Sequence, residues 1–302
     1  MALLTFQPSG FNKTMNKSAE QTDSNDIIYL PPRGYGRRLA AVVLICAVAG
    51  FLYLMASNPN VDPEIIANYL FSPSILSGLF LTSWLTLVTM AIGVALGTLL
   101  AVMTMSANSV IAAVGQGYVW FFRGTPVLVQ LIFWYNLAAL FPNLSVGIPF
   151  TSYWLSVPTN DVITPYTAAI LGLGLNEAAY MSEIVRAGLL AVDPSQRQAA
   201  KALGMTNGKA LRRIVLPQAM PSIIPPTGNE TIGMLKTTSL VSVIALADLL
   251  YSAQMVYSRN FQTIPLLLVA CFWYLLATTV LSLFQRRIER RFGRGLSRSM
   301  VR

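Results

Sequence analysis

Charged side chains are scarce in this sequence, so the few set among its long apolar stretches are the ones able to do chemistry. Glu230, in the run Gly228-Asn229-Glu230-Thr231, is the first of them. A charge at the centre of a bilayer costs about 2.5–3.5 kcal/mol on insertion scales, so an acid there implies a partner. That partner is either the ammonium group of a small solute, held in a partly dry cavity, or a fixed cation such as Arg123 or Lys236 on another stretch. Glu177 has no sequence-local partner and is a second candidate for the same pathway. Asn176 and Tyr180 can share its helix face, which helix packing explains equally well. Arg123 precedes Gly124-Thr125-Pro126, a turn able to expose the Thr125 hydroxyl. It either meets a solute carboxylate or anchors its segment at the membrane interface. Glu183 and Arg186, three apart, read as a local ion pair. With Asn229, these residues describe the binding and passage of a polar solute, not covalent catalysis. There is no histidine, Cys46 and Cys271 sit in distant apolar runs, and no metal site or disulfide is expected.

The elements that must position these residues follow from composition. Of 302 residues, 54% are hydrophobic and 11% charged, and the mean hydropathy is +0.57. These values lie outside the range of ordinary soluble domains and point to an all-α polytopic membrane protein. The net charge of +9 sits in short segments beside apolar runs, as orientation signals do, which argues against a nucleic-acid partner. Residues 1–38 form a polar tail, 39–57 one crossing, and 58–75 a linker without Lys or Arg. Further crossings are expected at about 76–104, 117–141, 165–189, 218–237 and 264–284. Gly93, Gly97 and Ala101 favour close helix approach in the first of these. Residues 142–164 are proline-rich and bare of basic residues, and 286–302 form an arginine-rich tail that also meets anionic lipid.

The basic regions are the N-terminal tail, the 190–217 loop and the C-terminal tail, and the positive-inside rule places all three in the cytoplasm. Both termini inside require an even number of crossings, and about six fits. The segment 218–237, with Pro221, Pro225, Pro226 and Gly228, is expected as a broken stretch lining an interior pathway; 238–260 then returns partway or lies at the outer face.

The basic loop reads as a helix, a glycine and a second helix. Asp193 caps the first, Pro194 opens it, and Gln196 stands third, as in a capping box. Ala199, Ala200 and Ala202 allow a neighbouring surface to come close. Gly204 is a left-handed terminator, a second helix starts near Thr206 or Asn207 with Leu211, Ile214 and Val215 on one face, and Pro217 ends it. A compact element of this kind outside the bilayer suits a soluble partner.

The spacing Gln198-Ala199-Ala200, then Gly204, then Ile214, Leu216 and Pro217 resembles the coupling loop of permease subunits of binding-protein-dependent ABC importers, with Gln198 in place of the usual Glu. Phe122-Arg123-Gly124-Thr125-Pro126 with Val129-Gln130, Ala178 to Arg186, Leu216-Pro217-Gln218-Ala219, Gly228-Asn229-Glu230 and Lys236 to Ser242 resemble the polar-amino-acid branch of that family. The likeness runs over roughly 76–290. It implies a type I importer core over 76–285, with coupling loop 193–217 and an additional N-terminal helix. It also implies a location in a bacterial inner membrane, with 58–75 facing the periplasm. Expected partners are ABC ATPase subunits that bind ATP and Mg, a second permease subunit, identical or sister, and a periplasmic or tethered solute-binding protein. This chain carries no cofactor and no G-x-x-x-x-G-K-[ST] phosphate loop of its own, so it is expected not to be an enzyme. The alternative is a secondary amino-acid transporter driven by an ion gradient. That class often shows two homologous halves, and here there is one broken segment and no internal repeat.

Overall fold

The computed structural model describes residues 35–147 and 154–292; expectations for the tails at 1–34 and 293–302 lie outside the described residues. The chain divides into two units, Met1–Ser57 and Asn58–Arg302. In the first, α1 (Tyr35–Ala56) is one apolar helix of 22 residues, about 33 Å long at 1.5 Å per residue.

The second unit is helical but for one hairpin. It opens with α2 (Pro63–Leu70), capped by Asp62 Oδ1, which accepts from the Glu64 amide at 2.9 Å. There follow α3 (Pro73–Thr104), α4 (Ser109–Gly124), α5 (Val127–Tyr135) and the single turn α6 (Leu137–Leu140). Strands β1 (Asn143–Gly147) and β2 (Trp154–Pro158) pair antiparallel, Asn143 opposite Pro158 and Gly147 opposite Trp154. This ladder corrects the all-α expectation: Leu144 and Val146 alternate with polar residues over too short a run to read as a strand beside so many prolines. The turn α7 (Thr159–Val162) leads to α8 (Pro165–Leu190), which begins at a Thr164–Thr167 capping box. The basic loop holds α9 (Pro194–Ala202) and α10 (Asn207–Ala210). A π-helical turn, Leu211–Val215, then runs straight into α11 (Leu216–Thr237). A 3-10 segment, Thr238–Ile244, precedes α12 (Leu249–Asn260) and α13 (Thr263–Phe292).

Three expectations change. Residues 117–141 are not one helix: α4 begins eight residues earlier and stops before Pro126, and Asn136 breaks the chain again. Residues 218–237 are not broken, and Pro217 does not end the preceding helix. Pro217, Pro221 and Pro225 recur every four residues, so those three missing donors fall along one stripe of the helix, and Pro226 alone lies off it. The π-turn absorbs the first of them, with the Leu216 amide reaching back five residues to the Leu211 carbonyl. The bend comes later, 45° between the helix ending at Ile244 and α12, around Ala245 in the left-handed region at φ 57°. By length and apolar composition, α3 and α13 are able to cross a membrane, or three elements if that bent pair counts as one. Taken alone, α8 and α11 fall short because they carry the polar residues and prolines of interest here.

The core is the seam between α3 and α8. A side chain at Gly93 would collide with Glu177 Cγ, and one at Gly97 would come within 2.5 Å of Met181 Cβ and 2.8 Å of the Ala178 carbonyl. Partners advance together, 93 to 97 against 177 to 181, so the two helices run parallel. The small-residue spacing expected from sequence is used as such: Gly93, Gly97 and Ala101 are all buried. Further along the same face of α8, Gly188 admits Ile223 of α11.

Gly97→Val should force α3 from α8 and destabilise the folded chain by about 1–3 kcal/mol, as overpacking does. Gly117→Val, where an added carbon meets nothing within 4 Å, should stay within about 0.5 kcal/mol. Thermal melting in detergent compares the two; equal melting temperatures would refute the tight seam.

Candidate functional site

The break between α4 and α5 organises the interior. Pro126 has no amide proton, so the Phe122 carbonyl loses its helical donor. Gln130 Nε2 and Asn176 Nδ2 replace it, donating to that oxygen at 3.0 and 2.8 Å. Gln130 Nε2 also donates to the Thr125 carbonyl at 3.1 Å and to Thr125 Oγ1 at 2.7 Å. Both amide side chains are buried, and each is satisfied, as a buried polar group must be. The sequence reading gave Gln130 no role; the signal for it was the proline four residues before an isolated amide in an apolar run. Thr125 is thereby committed to holding the break.

Arg123 lies in the last turn of α4, just before the break. Its guanidinium lies over the Tyr180 ring, 5.2 Å from the centroid, a cation–π contact. Tyr180 is ten residues from the end of α8 at Leu190, about 15 Å along the axis. Arg123 therefore stands at mid-height of α8 and is not an anchor at its end. The reason is the earlier start of α4, which carries Arg123 a further two turns inward. Glu183 and Arg186 form the expected pair, at 2.6 Å.

Glu177 and Glu230 lie within electrostatic reach of each other. Glu177 is 3% exposed, its stem packed on Gly93, and its Oε1 has no hydrogen-bond partner among the described residues. Glu230, half-buried on α11, is close enough for its charge to act on Glu177, and the charge of Arg123 reaches Glu230 in turn. Neither carboxylate forms an ion pair among the described residues, with Arg123, with Lys236 or otherwise. Asn229 points elsewhere: its Oδ1 accepts from Gln285 Nε2 of α13 at 2.9 Å. A cavity of about 410 Å³ among α3, α8, α11 and α13, lined in part by Ile223, Thr227 and Thr231, includes neither carboxylate.

Asp248 escaped the sequence reading, although an acid inside an apolar stretch was the signal. It is fully buried, caps α12 by accepting from the Tyr251 amide at 2.8 Å, and accepts from Tyr274 Oη at 3.1 Å. The adjoining Leu249 amide donates to Thr82 Oγ1 at 3.1 Å. These bonds tie the unwound segment to α3 and α13, a structural role.

The basic hairpin is built much as expected. Asp193 Oδ1 accepts from the Ser195 amide at 2.8 Å, which holds the carboxyl below the usual carboxylate range. Its cap stays ionised at neutral pH. The capping box is not closed, because Gln196 Oε1 accepts instead from Gln218 Nε2 of α11 at 3.3 Å. At the other end the Met205 amide donates to the Ala200 carbonyl and the Gly204 amide to that of Lys201, a Schellman closure with Gly204 at φ 71°. Thr206 precedes α10, as expected. Gln198, Ala199, Ala202, Gly204, Leu216 and Pro217 are exposed, Ile214 is half-buried and Ala200 is buried. Leu203, 78% exposed, adds an apolar tip that the spacing did not single out.

With this geometry in place, likeness to known proteins is informative. Residues 93–294 match the family described as "Binding-protein-dependent transport system inner membrane component". The chain is 44% identical over 272 residues to the arginine transport system permease protein ArgU of Corynebacterium glutamicum, covering 90% of this chain and 84% of that one. It is 31% identical over 220 residues to the glutamine transport system permease protein GlnP of Escherichia coli K12, covering 72% and 93%. A crystal structure of an amino acid ABC transporter with histidines superposes with a TM-score of 0.62 at 37% identity, over 72% of this chain and 94% of that one. The MetNI methionine ABC transporter, at 18% identity and a TM-score of 0.54, shares the fold. The gradient-driven alternative gains no support from these relatives. The chain belongs to the family of inner-membrane permease components of binding-protein-dependent ABC importers.

Proposed function

We propose that this permease subunit passes an amino acid with a cationic side chain, driven by ATP and Mg on a separate ATPase gripped at the hairpin. The juxtaposition of Glu177 and Glu230 carries the reading. Two carboxylates within electrostatic reach of each other and without a fixed cation in contact among the described residues repel unless a proton or a mobile cation joins them. An ammonium or guanidinium side chain supplies that charge, and Arg123 offers a counterpart for the solute's own carboxylate. The arginine in the name of the Corynebacterium relative is consistent with this substrate class.

Six crossings accommodate the chain: α1, α3, the interrupted series α4 to α6, α8, α11 and α13. The tails and the hairpin then face the cytoplasm, while α2, the β-hairpin and α12 lie at the outer face. Glu230 is half-buried, so a second permease subunit, identical or sister, completes the pathway beside it, and a solute-binding protein delivers from the outer side. The hairpin suits coupling because its closure is rigid and its tip is small: Ala199, Ala202 and Leu203 leave room for a groove of the ATPase. Gln198 docks there without the charge of a Glu. Rigid continuity from α10 through the π-turn into α11 links that tip to Glu230.

Glu230→Gln should lower ATP-dependent uptake of arginine by about ten- to a hundredfold, the worth of a hydrogen bond to a charged group, while assembly and basal ATP hydrolysis persist. Uptake at the unaltered rate would reject the carboxylate station. Separately, a crosslinker at Ala202→Cys in inverted vesicles should capture the ATPase subunit, and capture only from outside intact cells would reverse the topology.

A further inference from the structure

A second pocket, of about 540 Å³, lies between the end of α3, the turn after it, the end of α8 and both arms of the hairpin. Its floor is apolar, with Val102, Leu189 and Val215, and its rim carries Arg197 and Lys201. At 100° per residue, Arg197, Ala200 and Lys201 share one face of α9, and Ala199, Ala202 and Leu203 the opposite one. The first face closes on the pocket, with Ala200 fully buried; the second is the exposed tip. Arg197 Nη2 donates to the Leu189 carbonyl at 3.2 Å. Neither cation meets a carboxylate among the described residues. The pocket also opens toward the apolar outside of α3, where Val102 is 53% and Leu99 56% exposed.

We propose that this pocket holds the headgroup of an anionic phospholipid, its phosphate between Arg197 and Lys201 and its acyl chains against Val102 and Leu99. Charge and polarity both favour that occupant: two cations without carboxylate partners sit on the rim of an apolar floor, one helical turn from a lipid-facing surface. An acidic side chain of the ATPase would approach the opposite face of α9, which offers alanines and Leu203. The lipid then pins the hairpin to the α3–α4 turn. The inference rests on the cytoplasmic placement of residues 190–217 under the proposed function.

The test uses the complete transporter, taken from phosphatidylcholine vesicles containing phosphatidylglycerol and read by native mass spectrometry. Lys201→Gln should weaken phosphatidylglycerol retention about fivefold, the effect of one basic residue near an anionic surface. Lys201→Arg should retain it, and Lys209→Gln, which removes the same charge from the same hairpin outside this pocket, should change nothing. Equal retention by the two glutamine variants overturns the proposal, as does a Lys201→Gln complex that sheds its ATPase but keeps its lipid. A photoreactive phosphatidylglycerol on the unaltered transporter should label residues 102–106 or 207–215; labelling confined to other segments refutes the site even where a variant fails to assemble. None of these readings uses uptake, so a failed permease reading shows in transport and a failed lipid site shows here.

Discussion

Close approach of α3 to α8 is the constraint from which the rest follows. Two parallel helices meet at Gly93 and Gly97 with no room for a β-carbon, and the groove so made receives the stem of Glu177. In lipid, where apolar burial gives little drive for association, such small-residue contact is what holds helices together. The same device recurs where Gly188 admits Ile223 of α11, so one face of α8 is clamped first by α3 and, further along, by α11. A clamped helix can hold a buried carboxylate in place without a partner of its own.

The polar groups of the interior divide by what they satisfy. Gln130, Asn176 and Thr125 close the gap left by Pro126; Asp248, Tyr274 and Thr82 close the gap where α12 begins. These groups serve the backbone, and their hydrogen bonds are complete. Arg123, Glu177 and Glu230 differ in that their charges reach one another without an ion pair among the described residues.

Much of this was legible in the residues. The small-residue seam, the Glu183–Arg186 pair, the Asp193 cap and the Gly204 terminator each depend on spacing within one helix or one turn, which sequence displays directly. What sequence hid was long-range. The height of Arg123 depended on where α4 begins, fixed by the Asn108 cap, whose side chain accepts from the Val110 amide. The prolines of α11 read as breakers because each costs a helix alone, whereas the four-residue recurrence of Pro217, Pro221 and Pro225 gathers three of the four losses on one stripe. Gln130 and Asp248 found partners 46 and 26 residues away, Asn176 and Tyr274, and no local pattern announces such pairs. The β-hairpin was too short for its alternation to stand out.

The central claim is that Glu177 and Glu230 form one station for a cation on the path through this permease. A structure of the assembled transporter with bound arginine tests it most directly. The account requires solute density whose cationic group reaches both carboxylates and whose own carboxylate lies toward Arg123. Solute bound elsewhere along the path, with the two acids unoccupied, would contradict it.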